Sequence, residues 1–322
     1  MLGGQARRVS LVEKLKDEGR PVLVVDSGNL FTDVREGVDH QRSLTKAQLI
    51  SRVCKRMGVA AINVGALDLV QGLTFLRSEA SRGIPLISSN LVDPTSRSPI
   101  FRPYIIKKVN KSTIAFFGLL SPAINPAIPK SESEKFLVQD PAETARTMIN
   151  KLRGRADVIV LLSALDQYSE REVVKAVSGI HFVLGGNEGG YIQSPIWERQ
   201  TPILESYRNG MYAGKLQLSL VNASSPFWDE GREDRLKRQI QELDIRLGNI
   251  EKIRGNYHKK SMDTAVENIN KQKTALLDEL KNSGASHPGD NRFSWALVPL
   301  DSSLPEDKVV SGWIRKAGIE RD

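Results

Sequence analysis

A run of apolar residues that ends in a glycine-containing loop constrains the fold of this chain more than any other feature. Residues 22–25 are Val-Leu-Val-Val, and residues 26–29, which follow them, are Asp-Ser-Gly-Asn. Branched apolar residues in succession are typical of a strand whose two faces are both covered. In open α/β sheets ligands bind beyond the carboxyl ends of the strands, so we expect residues 26–29 to lie where a site would form.

Apolar strands alternate with helical segments along the rest of the chain. Further strands are predicted at residues 59–64, 84–88, 158–162, 182–184, 202–205 and 215–220. Residues 104–109 and 112–117 flank Asn110-Lys111 and predict an antiparallel hairpin, while Asn209-Gly210 is predicted as a turn between the last two strands. Asp140 and Pro141 predict the cap and the first residue of a helix. The order of strands and helices indicates an α/β fold, a layered sandwich of mixed β-sheets flanked by helices.

Residues 228–284 differ from the rest, because their apolar residues follow the spacing of a coiled coil. The two series are Leu236, Ile240, Leu243, Leu247 and Ile250, then Met262, Val266, Ile269, Leu276 and Leu280, with Lys273 at a position of the second series that is otherwise apolar. The break between them, at Gly255-Asn256, predicts an antiparallel helical hairpin inserted between two strands, 215–220 and 293–298, that pair with each other.

The predicted domain limits follow from that insertion. An α/β domain is expected at 1–227, the coiled-coil-like hairpin at 228–284, and a returning strand and helix at 285–322 that complete the α/β domain. The hairpin, residues 232–282, either mediates self-association or the docking of a protein partner, or buries its apolar residues only between its own two arms. The sequence leaves both alternatives open.

The composition narrows the class of protein. The chain has 46 Lys and Arg against 38 Asp and Glu, but the basic residues are scattered and no nucleic-acid-binding signature is present, so no nucleic-acid partner is predicted. No apolar run approaches the roughly 20 residues of a transmembrane helix. The single cysteine, Cys54, excludes an internal disulfide and a cysteine-based metal cluster, and its position on a helix favours a packed thiol.

Motifs at the strand ends resemble those of one known family. The motifs are Gly3-Gly4-Gln5-Ala6-Arg7-Arg8, Asp26-Ser27-Gly28-Asn29-Leu30-Phe31, Gly65-Ala66-Leu67-Asp68-Leu69, Leu161-Leu162-Ser163-Ala164-Leu165 and Gly185-Gly186-Asn187-Glu188-Gly189. In type and order they resemble motifs of the metallophosphoesterase domain of the 5'-nucleotidase (calcineurin-like metallophosphoesterase) family. The resemblance covers about residues 3 to 220, and the family's first strand, with its Asp-x-His pair, would lie before Met1.

The resemblance implies a site with two metal ions that activate water and hold the phosphoryl oxygens. The family's bridging Asp corresponds here to Asn29, its Asn ligand to Ala66, its catalytic His to Leu67, its next His ligand to Ala164, and its last two His ligands to Asn187 and Gly189. Ala, Leu and Gly side chains cannot bind a cation, and an Asn carbonyl binds one only weakly. We therefore expect the two-metal site to be lost, with no metal cofactor and no catalytic residue.

The histidines elsewhere in the chain do not replace those ligands. They are His40, His181, His258 and His287, and none lies in these loops or at a ligand spacing. We expect each of them to be an ordinary surface or loop residue.

Polar residues that remain at the strand ends form a candidate ligand pocket. They are Asn29, Asp68, Asn90, Ser163, Asn187 and Glu188, and they would suit a small phosphate-containing ligand. The alternative is that they only maintain the turns, since strand-end turns favour Gly and Asn in any case.

The function expected from these residues is that of a catalytically inactive, metallophosphoesterase-like module for binding or assembly. The alternative is a divergent metal-dependent phosphoesterase that hydrolyses nucleotides or other phosphate esters. The resemblance implies a periplasmic or cell-envelope location, as in exported bacterial proteins with similar domains. No signal peptide is recognisable in the given sequence, so a cytoplasmic location stays open.

Overall fold

The structure is a computed structural model that describes residues 4–31, 40–123, 128–186, 194–206, 210–254, 260–282 and 289–319. The chain divides into two compact units. One comprises Met1–Lys215 with Ala296–Asp322, and the other comprises Leu216–Trp295. The domain limits expected from the sequence stay a prediction.

Helices occupy both units. The α-helices of the described residues are α1 Gln5–Asp17, α2 His40–Met57, α3 Leu73–Ser81, α4 Lys130–Ser133, α5 Pro141–Leu152, α6 Gln167–Ala176, α7 Arg232–Arg254, α8 Lys260–Asn282 and α9 Lys308–Lys316. A 3-10 turn, Asp68–Gln71, precedes α3. Side-chain caps explain several helix starts: Asp140 accepts from Glu143 N at 2.8 Å to begin α5, as predicted, and Asp307 accepts from Val310 N at 2.8 Å to begin α9.

Strands connect these helices in an α/β order. They are β1 Val25–Asp26, β2 Ala61–Asn63, β3 Leu86–Ile87, β4 Leu91–Val92, β5 Tyr104–Val109, β6 Ser112–Leu120, β7 Leu137–Val138, β8 Val158–Ala164, β9 Phe182–Gly185, β10 Ile196–Glu198, β11 Thr201–Glu205, β12 Tyr212–Ser219, β13 Phe227–Asp229 and β14 Asn291–Pro299. The predicted fold class, a layered α/β fold with mixed sheets, is confirmed.

Two sheets carry the strand ends that matter for a site. A parallel sheet has the order β1-β2-β3, and a six-stranded mixed sheet has the order β10-β11-β9-β8-β6-β5. The predicted hairpin is present as β5 and β6, and Asn110 in its turn has a φ of 55°. Strand β8 is buried along its whole length, which explains its unbroken apolar sequence Val158-Ile-Val-Leu-Leu.

The first predicted strand is shorter and more exposed than its sequence suggests. Only Val25–Asp26 pair with a neighbour, β2, and residues 22–25 are half-buried. In the order β1-β2-β3, strand β1 lies at the edge, so one side of it has no neighbouring strand within the described residues. Branched apolar residues therefore indicated a strand correctly but overestimated its burial, because burial depends on strand order.

The predicted turn at Asn209-Gly210 does not join paired strands. Strand β11 pairs with β9 and β10, whereas β12 is a neighbour of β14 in a different sheet. Asn209 itself lies outside the described residues. The tight turn on this side precedes β11 instead, where Arg199, at a φ of 53°, connects β10 to β11.

The second unit contains the two long helices. Helices α7 and α8 pack on each other, and the break predicted at Gly255-Asn256 falls outside the described residues. The strands that flank the helices in sequence, β12 and β14, are neighbours in a sheet of order β12-β14-β13, as the sequence predicted.

Asn63 links the two sheets of the first unit below the candidate site. Its side chain is fully buried, and its Nδ2 donates to Ser27 O at 3.0 Å and to Leu119 O at 2.8 Å. Gly118, on β6, lies so close that a Cβ there would overlap the Asn63 side-chain oxygen. Asn63 therefore fixes the loop after β1 only because position 118 has no side chain.

Replacing Gly118 with alanine should consequently lower the free energy of unfolding by about 1–2 kcal/mol, because the added methyl group forces Asn63 out of its hydrogen bonds. Urea unfolding followed by circular dichroism would measure this change. Gly248→Ala is the control, since nothing lies within 4 Å of its added Cβ and α7 should become slightly more stable. A Gly118→Ala protein as stable as wild type would contradict the packing role of Asn63.

Candidate functional site

Loops from two sheets meet at the carboxyl ends of their strands. A Cβ on Gly28 would lie 2.9 Å from Gly65 N, so the loops after β1 and β2 approach backbone to backbone. A Cβ on Gly186 would lie 3.0 Å from Ser27 Oγ and 3.2 Å from Ser206 Oγ, which brings the loops after β9 and β11 to the same place. The expected position of the site is thus formed by loops from both sheets.

Asp68 holds the first two loops together. It is fully buried, and its Oδ1 accepts from Phe31 N at 2.8 Å, while its Oδ2 accepts from Asn29 N at 2.9 Å and from Gly65 N at 2.8 Å. Burial raises the pKa of Asp68 to about 6, although the three N–H donors oppose that rise. Both oxygens of this carboxylate are therefore already used by the backbone.

Asn29 completes the same network from the opposite side. It has a φ of 60°, a left-handed conformation that Asn tolerates better than most residues, and its Oδ1 accepts from Leu67 N at 2.9 Å. The structure thus brings Asn29 and Asp68 together through reciprocal bonds between the loops after β1 and β2.

Asn90 and Ser163 are also buried and bonded to the protein. Asn90 donates to Leu120 O at 2.8 Å and to Gln139 O at 3.2 Å, and its Oδ1 accepts from Leu120 N at 3.0 Å. Ser163 Oγ accepts from Leu165 N at 3.2 Å. Asn187 and Glu188, the other two predicted pocket residues, lie outside the described residues. Ligand binding by this set stays a prediction.

At the end of β1, the Asp26 carboxyl group lies near the Arg8 guanidinium. Burial raises the pKa of Asp26, and the nearby Arg8 guanidinium and the Gly28 N–H, at 3.0 Å from Oδ1, oppose that rise. Arg8 also approaches the loop before β12, where a Cβ on Gly210 would lie 2.7 Å from its Nη2. A guanidinium, which is a donor to anions, therefore lies beside the candidate pocket.

Cys54 and His181 take structural positions. The predicted packed thiol is confirmed, because Cys54 is buried and its burial raises the pKa of the thiol to about 12, which disfavours the reactive thiolate. His181 is half-buried and its Nδ1 accepts from Ile159 N at 3.0 Å, while burial lowers its pKa. Neither residue contributes a nucleophile or a charged group to the pocket.

A buried pair of carboxyl groups escaped the sequence analysis. Glu170 and Glu205 are almost fully buried, and their Oε1 atoms lie 2.6 and 3.0 Å from the position that a Cβ would take on Gly185. Burial, and then the adjacent Glu205, raise the pKa of Glu170 well above its usual range, whereas the nearby Ser163 side chain opposes the rise. The available signal was a glutamate that ends the apolar strand β11, opposite the glycine that ends β9.

Comparison with known proteins finds relatives of this chain. No protein-family model matches the chain. The 2',3'-cyclic-nucleotide 2'-phosphodiesterase/3'-nucleotidase of Salmonella typhimurium is 27% identical over 174 residues, which are 50% of this chain and 27% of that protein. The trifunctional nucleotide phosphoesterase protein YfkN of Bacillus subtilis is 23% identical over 341 residues, covering 94% of this chain and 22% of that one.

A solved structure agrees in fold over nearly the whole chain. Sulfate thiohydrolase SoxB of Thermus thermophilus superposes with a TM-score of 0.70 at 17% identity, covering 98% of this chain and 46% of that one. The homologues and structural neighbours of this chain are 5'-nucleotidase and calcineurin-like metallophosphoesterases. The resemblance found in the strand-end motifs is therefore confirmed. The chain spans less than half the length of these three relatives.

The two-metal site that the resemblance implies can be compared with the side chains at the positions matched to its ligands. Asn29 Oδ1 accepts from a backbone N–H group, and Ala66, Leu67 and Ala164 have no donor atom. Within the described ranges, no group of three or more His, Cys, Asp or Glu side chains is arranged to hold a metal ion. Ala and Leu side chains cannot bind a cation, so these described positions lack ligands, while the loss of the whole metal pair stays a prediction.

The location of this metallophosphoesterase-like chain has one structural constraint. Among the described residues, no helix combines the length and the apolar character needed to cross a membrane.

Proposed function

We propose that this chain is a metallophosphoesterase-fold module that binds a phosphate-containing small ligand without hydrolysing it. The observation that carries the proposal is that Asp68 and Asn29 join the loops after β1 and β2 by hydrogen bonds to backbone N–H groups. In the match to the family, Asn29 takes the place of the bridging ligand, and its Oδ1 is occupied by Leu67 N–H, while Asp68 beside it is bonded to three further backbone N–H groups. These hydrogen bonds hold the loops together without a cation.

Charge supports the same proposal. Two divalent cations held about 3.5–4 Å apart need a bridging anion and several further ligands, whereas Asn29, at the position of that bridging anion, is neutral. At the corresponding positions, Ala66 and Ala164 add neither charge nor lone pairs. Loss of several ligands at once should lower metal affinity far more than the 10- to 100-fold typical of one outer-shell loss.

The groups that remain suit an anion. Ser27 and Ser206 bring their hydroxyl groups to the place where the loops meet, next to the backbone of Gly186. The Arg8 guanidinium supplies positive charge near the end of β1. Hydroxyl, backbone N–H and guanidinium donors are those that bind phosphate in proteins. We further propose a cell-envelope location, in keeping with the similarity to a 5'-nucleotidase precursor.

The direct test combines turnover, metal content and binding on the purified chain. We expect no hydrolysis of AMP, 2',3'-cyclic AMP or bis(p-nitrophenyl) phosphate with Mn²⁺, Zn²⁺ or Mg²⁺, and less than one metal ion per chain by elemental analysis. In EDTA, AMP or inorganic phosphate should raise the melting temperature, since a ligand that binds only the folded state stabilises it. Metal-dependent turnover with about two metal ions per chain would instead establish the alternative, a divergent phosphoesterase.

Asn29→Asp tests whether one position decides the loss of activity. We expect this variant to remain inactive with all three metals, because Ala66, Leu67 and Ala164 still provide no ligand. Its free energy of unfolding at pH 7 should fall by about 1–2 kcal/mol, because the new carboxylate lies beside that of Asp68 and repels it. Asp68 Oδ2 is 2.9 Å from the backbone nitrogen of residue 29. Activity assays and urea unfolding measure the two effects. Recovery of metal-dependent hydrolysis in this single variant would contradict the proposal.

A further inference from the structure

A groove runs along one face of the pair α7 and α8, within the second unit. Its volume is about 770 Å³, and its lining includes Leu243, Ile245, Ala275 and Leu276. Ile245 is 58% exposed and Ile253, further along α7, is 52% exposed. Apolar side chains are thus left in contact with solvent on a face that the two helices do not cover.

The apolar seam between the helices is itself only half covered. Leu243 is buried, but Ile240, Leu247, Val266 and Ile269, which follow the coiled-coil spacing, are half-buried. Two helices shield such a seam from one side only, and helical bundles complete the shielding with further helices. The groove is therefore of the kind that a third helix would fill.

Charged side chains lie both in the groove and on the rest of the hairpin surface. Away from the groove, Lys273 pairs with Asp244 at 2.5 Å, and Lys237 pairs with Glu233 at 2.6 Å. In the groove, Glu279 pairs with Arg232 at 3.0 Å. Glu242 and Arg246, also in the groove, lie one helical turn apart on α7, a spacing that favours an ion pair, but none of the ion pairs among the described residues involves either of them.

We propose that the groove receives α7 of a second copy of this chain, which lies antiparallel to the first α7. A two-fold axis between Glu242 and Arg246 sets each Glu242 against Arg246 of the second copy, so the same two charges are satisfied twice. Such a surface is self-complementary, as a two-fold interface requires. The resulting four-helix arrangement covers Leu243 and Ile245 of both chains. This inference goes beyond the proposed ligand binding and does not depend on it.

The antiparallel register also predicts which other residues of the two chains lie opposite each other. With Glu242 opposite Arg246, residue 239 of one chain lies opposite residue 249 of the other. Within one helix these two positions are about 15 Å apart, at a rise of 1.5 Å per residue, which is too far for a disulfide. A disulfide between them can form only between two chains.

Charge reversal on the full-length protein tests the proposal. Light scattering coupled to size exclusion, over a range of concentrations, should give twice the mass of one chain for the wild type. Glu242→Arg and Arg246→Glu should each weaken the dimer by roughly tenfold or more, because each places like charges together at two symmetric contacts. The double variant Glu242→Arg/Arg246→Glu should restore the dimer, since it exchanges the charges without changing their complementarity.

A matched control and a cross-link complete the test. Glu251→Arg makes the same chemical change at another exposed position of α7, one that the proposed contact does not use, and should leave the mass unchanged. Gln239→Cys/Asn249→Cys should give a covalent dimer under mild oxidation, whereas either single variant should not. A wild-type chain that is monomeric at every concentration, or a double charge variant that stays dissociated while its circular dichroism is native, would overturn the proposal.

Discussion

Replacing Asp68 with alanine should lower the free energy of unfolding at pH 7 by about 2–4 kcal/mol, which would be one of the largest effects of any single substitution in this chain. The variant removes the acceptor of three N–H groups, those of Asn29, Phe31 and Gly65. Each buried donor left without a partner costs about 1–3 kcal/mol. Relief from burying a charge at this position offsets part of that loss.

Asp68→Asn separates the hydrogen bonds from the charge. An asparagine keeps one acceptor oxygen, which can still serve Asn29 N and Gly65 N, but it turns its NH₂ group towards Phe31 N. We therefore expect a smaller destabilisation than for Asp68→Ala. Asp93→Asn is the matched control, because that exposed carboxylate also accepts from two backbone N–H groups, of Thr95 and Ser96, and its replacement should change stability less than Asp68→Asn does. Equal stabilities of Asp68→Ala and wild type would show that Asp68 does not join the two loops by its hydrogen bonds.

The pH dependence of stability offers a further measurement on the same residue. The folded-state pKa of Asp68 is raised from 3.8 to about 6, so the folded protein binds this proton more tightly than the unfolded chain. Its contribution to stability is therefore complete below about pH 4 and declines as the pH rises to about 6. Asp68→Asn should show a weaker decline between pH 4 and 6 than the wild type in urea unfolding at each pH.

The sequence predicted the parts of the fold that local chemistry determines. Strand β8 is a continuous apolar run because it is central and buried, and α5 begins where Asp140 and Pro141 provide a cap and a first residue. The β5–β6 hairpin likewise follows from its two-residue turn. In each case a few adjacent residues carry the whole signal.

Features that depend on distant partners were beyond a reading of one sequence. The edge position of β1 follows from strand order, and the separation of β11 from β12 follows from which sheet each strand joins. For the candidate site, the sequence identified Asn29 and Asp68 as strand-end polar residues. It did not reveal that their oxygens bind backbone N–H groups 37 to 39 residues apart in sequence.

Glu170 and Glu205 are a second feature that the sequence alone did not reveal, and it is an electrostatic one. Glu170 belongs to the first turn of α6 and Glu205 ends β11, and neither stands out in the sequence by itself. Their meeting beside Gly185 creates the unusual environment, because two carboxyl groups in a buried place cannot both carry a charge without a large cost. Their proximity therefore predicts that neutralising one of them stabilises the protein.

Glu205→Gln should raise the free energy of unfolding at pH 8 by about 2–3 kcal/mol. The amide has nearly the shape of the carboxyl group, removes one buried negative charge, and can donate a hydrogen bond to Glu170. Glu170 has its pKa raised well above 4.5, first by burial and then by Glu205, so its contribution to stability is complete below about pH 4.5 and declines as the pH rises towards the folded-state pKa. The variant should reduce this decline, because the second cause of the raised pKa is removed.

The measurement is urea unfolding of both proteins between pH 4 and 9, with Glu172→Gln as the control. Glu172 lies on the same helix as Glu170, is exposed and pairs with Lys175 at 2.9 Å, so its neutralisation should change stability by about 0.5 kcal/mol or less at every pH. If Glu205→Gln instead destabilised the protein at pH 8, Glu205 would have to be stabilised as a carboxylate, for example by a bound cation. Elemental analysis of the wild-type protein would then identify that cation, and the interpretation that the two buried carboxyl groups destabilise each other would be wrong.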